Sequence, residues 1–139
     1  MFKTGVVCAA TGVPVARLER WQDHNTLELS RHDKGTAGSG DHRLFSRATV
    51  HRIAIAKRLT DLGIAAKPAN QAATLFDGLH QFGRTLLVIG ASGSQIVNAD
   101  YDASLSDICG RPFQSAIVVD IGQIVSTIDE NLTNKKEDL

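Results

Sequence analysis

Two arginines stand at helical spacing near the start of the chain. Arg17 and Arg20 are three residues apart in the run V-A-R-L-E-R-W, so a helix places both on roughly one face. Guanidinium groups bind phosphate oxygens and the acceptor atoms of base edges, and small apolar groups contact thymine methyls. Val15 and Ala16 precede the arginines, and Lys3 lies just ahead of the first helix. These five residues form a candidate nucleic-acid surface, with Lys3 predicted to reach a phosphate.

Two short helices around the turn Thr11-Gly12-Val13-Pro14 are predicted to position these side chains. Gly12 ends the first helix where a positive φ is needed, and Pro14 suits the first turn of the second. The spacing is typical of a helix-turn-helix whose second helix enters the DNA major groove. An ordinary helical hairpin is the alternative for these residues alone. The apolar residues predicted to pack the pair are Val7, Cys8, Val13, Val15, Leu18 and Trp21.

A glycine-rich polar run follows, between the apolar pieces at residues 27–29 and 43–46. The two pieces are predicted to pair as a β-hairpin, and Ser46 to cap a helix from Arg47 to Leu62. A helix pair, a basic hairpin and a third helix make a winged helix. A basic loop without fixed structure is the alternative. The side chains predicted to bind phosphates or the minor groove are Arg31, Lys34, Arg43 and Arg47.

The runs T-G-V-P-V-A-R-L-E-R-W, R-L-F-S and R-A-T-V-H-R-I-A-I-A-K-R-L-T-D-L-G-I occur in this order. Together they resemble the N-terminal DNA-binding domain of MerR-family transcription regulators, over about residues 4 to 80. The resemblance implies a winged helix-turn-helix, with Arg43 at the position of the family's wing arginine. The chain departs from the family on the second helix, where Glu19 replaces the usual Arg and Arg20 the first of two aromatic residues. The resemblance therefore implies the family's fold for this chain more strongly than it implies the family's DNA target.

Charge divides the chain, although the formal net charge is zero. Residues 1–82 hold 11 Lys and Arg against 7 Asp and Glu, whereas residues 83–139 hold 4 against 8. A basic half joined to an acidic half is typical of a DNA-binding domain followed by a region that does not contact DNA. No apolar run approaches the roughly 20 residues of a membrane helix, and the N-terminus lacks a secretory pattern. A cytoplasmic location is predicted.

The pattern predicts an α+β chain in three parts. Residues 1–82 form the winged helix-turn-helix domain, whose fourth helix runs from about Pro68 to Gln81 and buries Leu75. Residues 83–133 form a small appendage with strands at 84–90, 94–99 and 114–119, a short helix at 103–109 and a last helix at 120–132. Residues 134–139 are a charged, flexible tail.

The long coiled-coil helix that makes the dimer in MerR-family regulators has no counterpart in this sequence. The appendage is instead the predicted dimerisation region, because pairing across a twofold axis buries its apolar faces. The residues predicted to form this dimer contact are Leu87, Ile89, Ile117, Val119, Ile121, Ile124, Val125 and Ile128.

Other chemistry is less well supported by the sequence. The run V-I-G-A-S-G follows a strand, as a dinucleotide loop does, but Ile96 stands where such a loop needs its third glycine, so a hairpin turn is favoured. His24, His32 and His42 lie 8 and 10 residues apart without a metal-ligand pattern, which favours loop residues near phosphate. No catalytic set stands out. The sequence predicts no metal site, no cofactor and no enzymatic activity.

The sequence thus predicts a regulator that binds double-stranded DNA sequence-specifically, as a homodimer on a pseudo-palindromic site. An excisionase-like architectural factor shares the winged-helix plan, but such factors are usually shorter and lack an appendage. A protein- or ligand-binding module that kept the helix-turn-helix shape is the alternative from another class. Glu19 and the acidic C-terminal half favour that module. A protein or small-molecule effector is expected at the C-terminal region.

Overall fold

The computed structural model describes residues 1–29, 33, 43–76, 78, 84–91, 93–110 and 115–137, with side chains up to residue 134. The described part is a mixed α+β structure of six helices and two small antiparallel sheets, which confirms the predicted class. In chain order the elements are β1 (Phe2–Lys3), α1 (Thr4–Thr11), α2 (Val15–Asp23), β2 (Leu44–Phe45), α3 (Arg47–Asp61), α4 (Ala66–Ala73), β3 (Arg84–Gly90), β4 (Gly93–Ala99), α5 (Leu105–Cys109), β5 (Ile117–Asp120) and α6 (Ile121–Glu137).

The turn between α1 and α2 forms as the sequence predicts. Gly12 has φ 77° and ends α1, with its N–H donating to the carbonyl of Cys8 at 2.9 Å. Pro14, with φ −61°, is the N-cap of α2. The Thr11 hydroxyl donates to the Val7 carbonyl at 2.8 Å and accepts from the Val13 N–H at 3.3 Å. These bonds fix the short connection and hence the angle at which α2 leaves α1.

Helix α3 begins at the predicted cap. The Ser46 hydroxyl accepts from the Thr49 N–H at 3.3 Å. Asp33 adds a contact that the sequence did not indicate. Its carboxylate accepts from the Ser46 N–H and from the Thr49 hydroxyl, both at 2.6 Å. A negative charge at a helix N-terminus is stabilising, so the Asp33 carboxylate stabilises the start of α3.

The predicted pairing of residues 27–29 with residues 43–46 is wrong. Strand β2 pairs antiparallel with β1, so that Phe2 lies opposite Phe45 and Lys3 opposite Leu44. Phe2 and Phe45 are buried in the main core, and this burial decides which segment β2 joins. Residues 30–32 and 34–42, the centre of the predicted wing, lie outside the described residues.

Helix α4 is shorter than predicted. After Ala73 the N–H groups of Thr74, Leu75 and Phe76 bond to carbonyls three residues back, which is the pattern of a tighter turn. That turn buries Phe76 and leaves Leu75 44% exposed, so the predicted burial of Leu75 is wrong. Residues 79–83 lie outside the described part.

The second sheet has the strand order β4-β3-β5, with both pairs antiparallel. Strands β3 and β4 pair from Arg84 opposite Ala99 to Gly90 opposite Gly93, which confirms the predicted hairpin and excludes the dinucleotide loop. Helix α5 begins with a reciprocal capping box between Ser104 and Asp107. The hydrogen bonds that Asp107 accepts from the side chain and backbone of Ser104 lower the pKa of the Asp107 carboxyl group.

One hydrophobic core runs across the predicted boundary at residues 82 and 83. Helix α6 packs on α1 and α3, and its buried stripe joins the same cluster as Leu18, Phe45 and Ile53. The main core therefore includes residues from both predicted parts, while a second, smaller cluster of Leu86, Val88 and Ile108 lies within residues 83–133. Helix α6 also continues to Glu137, five residues beyond the predicted end of the last helix at residue 132.

Candidate nucleic-acid interface

Helix α2 has a buried face and an exposed face. Leu18 is fully buried and Trp21 is 4% exposed, so both anchor the helix in the core. Val15 (47% exposed), Ala16, Glu19 and Arg20 lie at the surface, and Arg17 is half-buried. We call the set of Val15, Ala16, Arg17, Glu19 and Arg20 the α2 surface. The exposure of Val15 contradicts its predicted packing between α1 and α2 and leaves it available for the other predicted role, an apolar contact.

The side chains of Arg17 and Arg20 line one open pocket of about 320 Å³. His24, one residue past the end of α2, shares the pocket, and Ala66 at the start of α4 forms another side. No side chain caps the N-terminus of α4, whose first N–H groups favour negative charge. Two guanidinium groups, an imidazole and a helix N-terminus suit a phosphate group. The sequence pointed to the arginines and did not indicate the part played by α4.

The arginines of the α2 surface have no salt bridge within the described part of the chain. The charge of Arg17 nevertheless acts on Asp61, whose pKa is lowered mainly by its hydrogen bond from Lys57. Glu19 brings a negative charge to the same surface. Burial of the Cys8 thiol, together with the nearby carboxylate of Glu19, raises its pKa. The α2 surface is thus positive with one acidic position in it.

Two further predicted phosphate contacts lie at the small sheet. Lys3 is exposed in β1, and Arg43 is half-buried and directly precedes β2. The antiparallel register pairs Lys3 with Leu44, so Lys3 and Arg43 lie at the same end of the sheet. The two positions are 40 residues apart in the sequence, and the pairing of β1 with β2 places them at one end of the small sheet. Arg31 and Lys34 lie outside the described residues.

Arg47 has a different environment from the one predicted. Its Nη1 is 2.7 Å from Oδ1 of Asp129 on α6, and its guanidinium carbon is 5.4 Å from the centre of the Phe2 ring. Nε2 of the buried His51 lies 2.7 Å from the same carboxylate oxygen. We call Arg47, His51 and Asp129 the α3–α6 junction. This geometry favours a stabilising role for Arg47 over the predicted phosphate contact.

The α3–α6 junction changes the acidity of Asp129. Partial burial acts to raise the pKa of this carboxyl, but the hydrogen bonds from His51 and Arg47 outweigh it and lower the pKa below its usual value. His51 also packs edge-on against Phe76, with ring centres 6.1 Å apart. The junction thus connects α3, α6 and the end of α4 through one carboxylate and one imidazole.

Most of the predicted dimerisation residues are buried inside the single chain. This corrects the expectation that a second copy is needed to cover them, because α1, α3 and the sheet already do so. Ile89 and Ile124 are half-buried against that core, while Ile117 on β5 is 36% exposed. The residues buried within the chain are Leu87, Val119, Ile121, Val125 and Ile128.

Comparison with known proteins does not assign the chain to a family. No protein-family model matches it, and no curated protein matches it. Among the described residues, no three or more His, Cys, Asp or Glu side chains are grouped so as to hold a metal ion. Nor does any helix of the described part combine the length and apolar composition that a membrane span requires.

Proposed function

We propose that the protein is a sequence-specific DNA-binding transcription regulator built on a winged helix-turn-helix. The observation that carries the proposal is the division of α2, which buries Leu18 and Trp21 and exposes Val15, Ala16 and Arg20 beside Arg17. A helix anchored on one side and basic on the other is suited to the major groove. Arg17 and Arg20 would bind base edges or phosphates, and Val15 and Ala16 would contact thymine methyls.

Two basic residues at the small sheet would add contacts to the DNA backbone. Lys3 and Arg43 would bind the phosphate backbone beside the groove that α2 enters, and the glycine-rich segment after residue 29 would extend that contact. Such contacts set register and orientation, whereas base contacts specify the sequence. Where Arg17 and Arg20 bind a phosphate, the pocket that they share with His24 would hold it.

A homodimer remains part of the proposal, because one winged helix offers few base contacts. Strand β5 is an edge of its sheet within the described residues, and its Ile117 and Val118 are 36% and 39% exposed. Unpaired edge strands readily pair with a second chain. Ile117→Asp is expected to convert the dimer to a monomer in analytical ultracentrifugation. A wild-type chain that is monomeric at the concentrations that bind DNA would contradict the dimer.

The proposal is tested by selection of duplexes from a randomised pool, followed by fluorescence anisotropy of the enriched duplex and a scrambled one. The enriched duplex is expected to bind at least about a hundredfold more tightly at physiological salt. Both affinities are expected to fall steeply as salt rises, because phosphate contacts release counterions. Equal affinity for the two duplexes would exclude sequence-specific binding.

A further inference from the structure

A second cavity is lined by none of the residues of the α2 surface, although it shares Val118 with the exposed edge of β5. It is a cleft of about 610 Å³, where α6 and β5 face the end of α1 and the second half of α3. We call it the α6 cleft. Its volume is within the range of small-molecule sites, about 300–1,000 Å³. Residues of α1, α3 and their C-caps line one side of it, and residues of β5 and α6 line the other.

The floor of the α6 cleft is apolar and is made of side chains of the main core. Ala54 and Ile128 are 5% exposed, and Val119 is 7% exposed. At the rim, Val118 is 39% exposed and Leu62 is 54% exposed. An apolar body placed in the cleft would contact the floor and remove the exposed parts of Val118 and Leu62 from water, which is favourable.

Helix α6 contributes neutral polar groups along one line. Gln123, Thr127 and Asn131 are spaced four residues apart and line the cleft, as the period of a helix requires. Asn131 donates from Nδ2 to the carbonyl of Ala10 at 3.0 Å, which holds α6 against α1 at one end. Gln123 and Thr127 have exposed side chains, whose amide and hydroxyl groups have room to bond to an occupant.

Charges of both signs line the α6 cleft. Lys57 Nζ pairs with Asp61 at 2.7 Å, whereas Oδ1 of Asp120 accepts from the neutral backbone N–H of Gln123 at 3.1 Å, so the Asp120 carboxylate keeps its negative charge at the start of α6. Arg58 lines the cleft, is exposed, and forms no salt bridge within the described ranges. A guanidinium group at the edge of an apolar floor matches a ligand with one anionic end.

We propose that the α6 cleft binds a small organic anion with an apolar body. The anionic group pairs with Arg58, the body covers Ala54, Val119 and Ile128, and Gln123 and Thr127 donate hydrogen bonds along its side. The lining contains none of the residues of the α2 surface, so the site does not depend on the proposed DNA binding.

The probe for the test is 8-anilinonaphthalene-1-sulfonate, an aromatic body with one sulfonate, whose fluorescence rises in apolar surroundings. Its neutral counterpart is N-phenyl-1-naphthylamine. The full chain is expected to bind the sulfonate at one site. Arg58→Gln is expected to weaken the sulfonate by about tenfold, as loss of a charge-assisted hydrogen bond does, and to leave the neutral amine within about twofold.

Variants that fill the cleft locate the site. Thr127→Trp and, independently, Gln123→Trp place an indole in the cleft and are expected to abolish binding of both probes. Ser126→Trp, on an exposed neighbour outside the lining, is the matched control and should leave both affinities unchanged. Circular dichroism and thermal unfolding identify any variant that has not folded, and either filled variant then suffices.

Three results would overturn the proposal. The first is binding of several sulfonates per chain with no saturation. The second is unchanged binding in a folded variant with a filled cleft. The third is an equal effect of Arg58→Gln on the affinities for the sulfonate and the neutral amine, which would show that Arg58 does not recognise a negative charge on the ligand.

Discussion

The α2 surface and the α3–α6 junction both carry arginines, but their surroundings differ. On α2, Arg17 and Arg20 point to an open pocket and have no salt bridge within the described residues. At the junction, Arg47 is paired with Asp129 at 2.7 Å and lies over the ring of Phe2. An arginine with an internal partner stabilises the fold, whereas one without a partner is free to bind an anion. The presence of an internal partner therefore distinguishes Arg47 from Arg17 and Arg20, although all three carry the same charge.

The largest effect is expected where α2 is anchored. Trp21→Ala should lower the free energy of unfolding by about 3–5 kcal/mol, because Trp21 is 4% exposed and its removal leaves a cavity in the core. Arg20→Ala, one residue away and exposed, should change it by no more than about 0.5 kcal/mol. Urea unfolding measures both. Equal losses of unfolding free energy in the two variants would contradict the assignment of Trp21 to the buried face of α2 and Arg20 to the exposed face.

The junction should show a smaller loss of stability. Asp129→Asn keeps an oxygen that can accept hydrogen bonds but removes the negative charge shared by Arg47 and His51. A loss of about 1 kcal/mol is expected, which allows for the solvent screening of these partly exposed groups. Glu130→Gln, on the exposed neighbouring residue, is the matched control and should be neutral within about 0.5 kcal/mol. Thermal unfolding distinguishes the two variants. A neutral Asp129→Asn would show that the junction does not hold α6 on α3.

The same junction predicts a dependence on pH. Because the folded protein lowers the pKa of Asp129, its stabilising contribution is present above the unfolded pKa of about 3.9 and is lost as pH falls through the folded value. The difference in stability between the wild type and Asp129→Asn should therefore be constant from about pH 5 to 6 and shrink below about pH 4. Urea unfolding at a series of pH values measures it. A difference that grows in acid would contradict the sign.

The smallest effect concerns the acidic position on the α2 surface. Glu19→Gln removes a negative charge beside Arg17 and Arg20, and duplex affinity is expected to rise about two- to threefold, since exposed charges contribute about 0.5 kcal/mol. Glu130→Gln on α6 controls for the change in net charge. Anisotropy at low salt gives both values. Weaker binding by Glu19→Gln would instead make Glu19 a contact to a base, as an acceptor from cytosine.

Local patterns predicted the parts of the fold that local chemistry decides. Gly12 and Ser46 mark helix boundaries because a positive φ and a side-chain cap are properties of single residues. The hairpin of β3 and β4 was predictable from β-branched runs on either side of a short turn. The pairing of β2 with β1 was not, because two-residue strands have no periodicity and their partner is chosen by the core around Phe2 and Phe45.

The site was predictable only in part for a related reason. An apolar stripe on α6 shows that one face is buried, but it does not say whether a second chain or α1 and α3 cover it. Likewise Arg47 and Asp129 are 82 residues apart in the sequence, so their pairing leaves no local signal. Arg17 and Arg20 were found because their helix, its spacing and its exposure are all set within a few residues.

The salt dependence of duplex binding shows which arginines contact DNA phosphates. Wild type, the double variant Arg17→Gln/Arg20→Gln and Arg47→Gln would be compared by anisotropy with the enriched duplex from about 50 to 200 mM salt. The double variant is expected to bind at least about tenfold more weakly, with a slope of log affinity against log salt lower by up to about 1.8, or about 0.9 per lost phosphate contact. Arg47→Gln, once shown to be folded, should keep the wild-type slope. An unchanged slope in the double variant, or a lower one in Arg47→Gln alone, would contradict the assignment of DNA binding to the α2 surface.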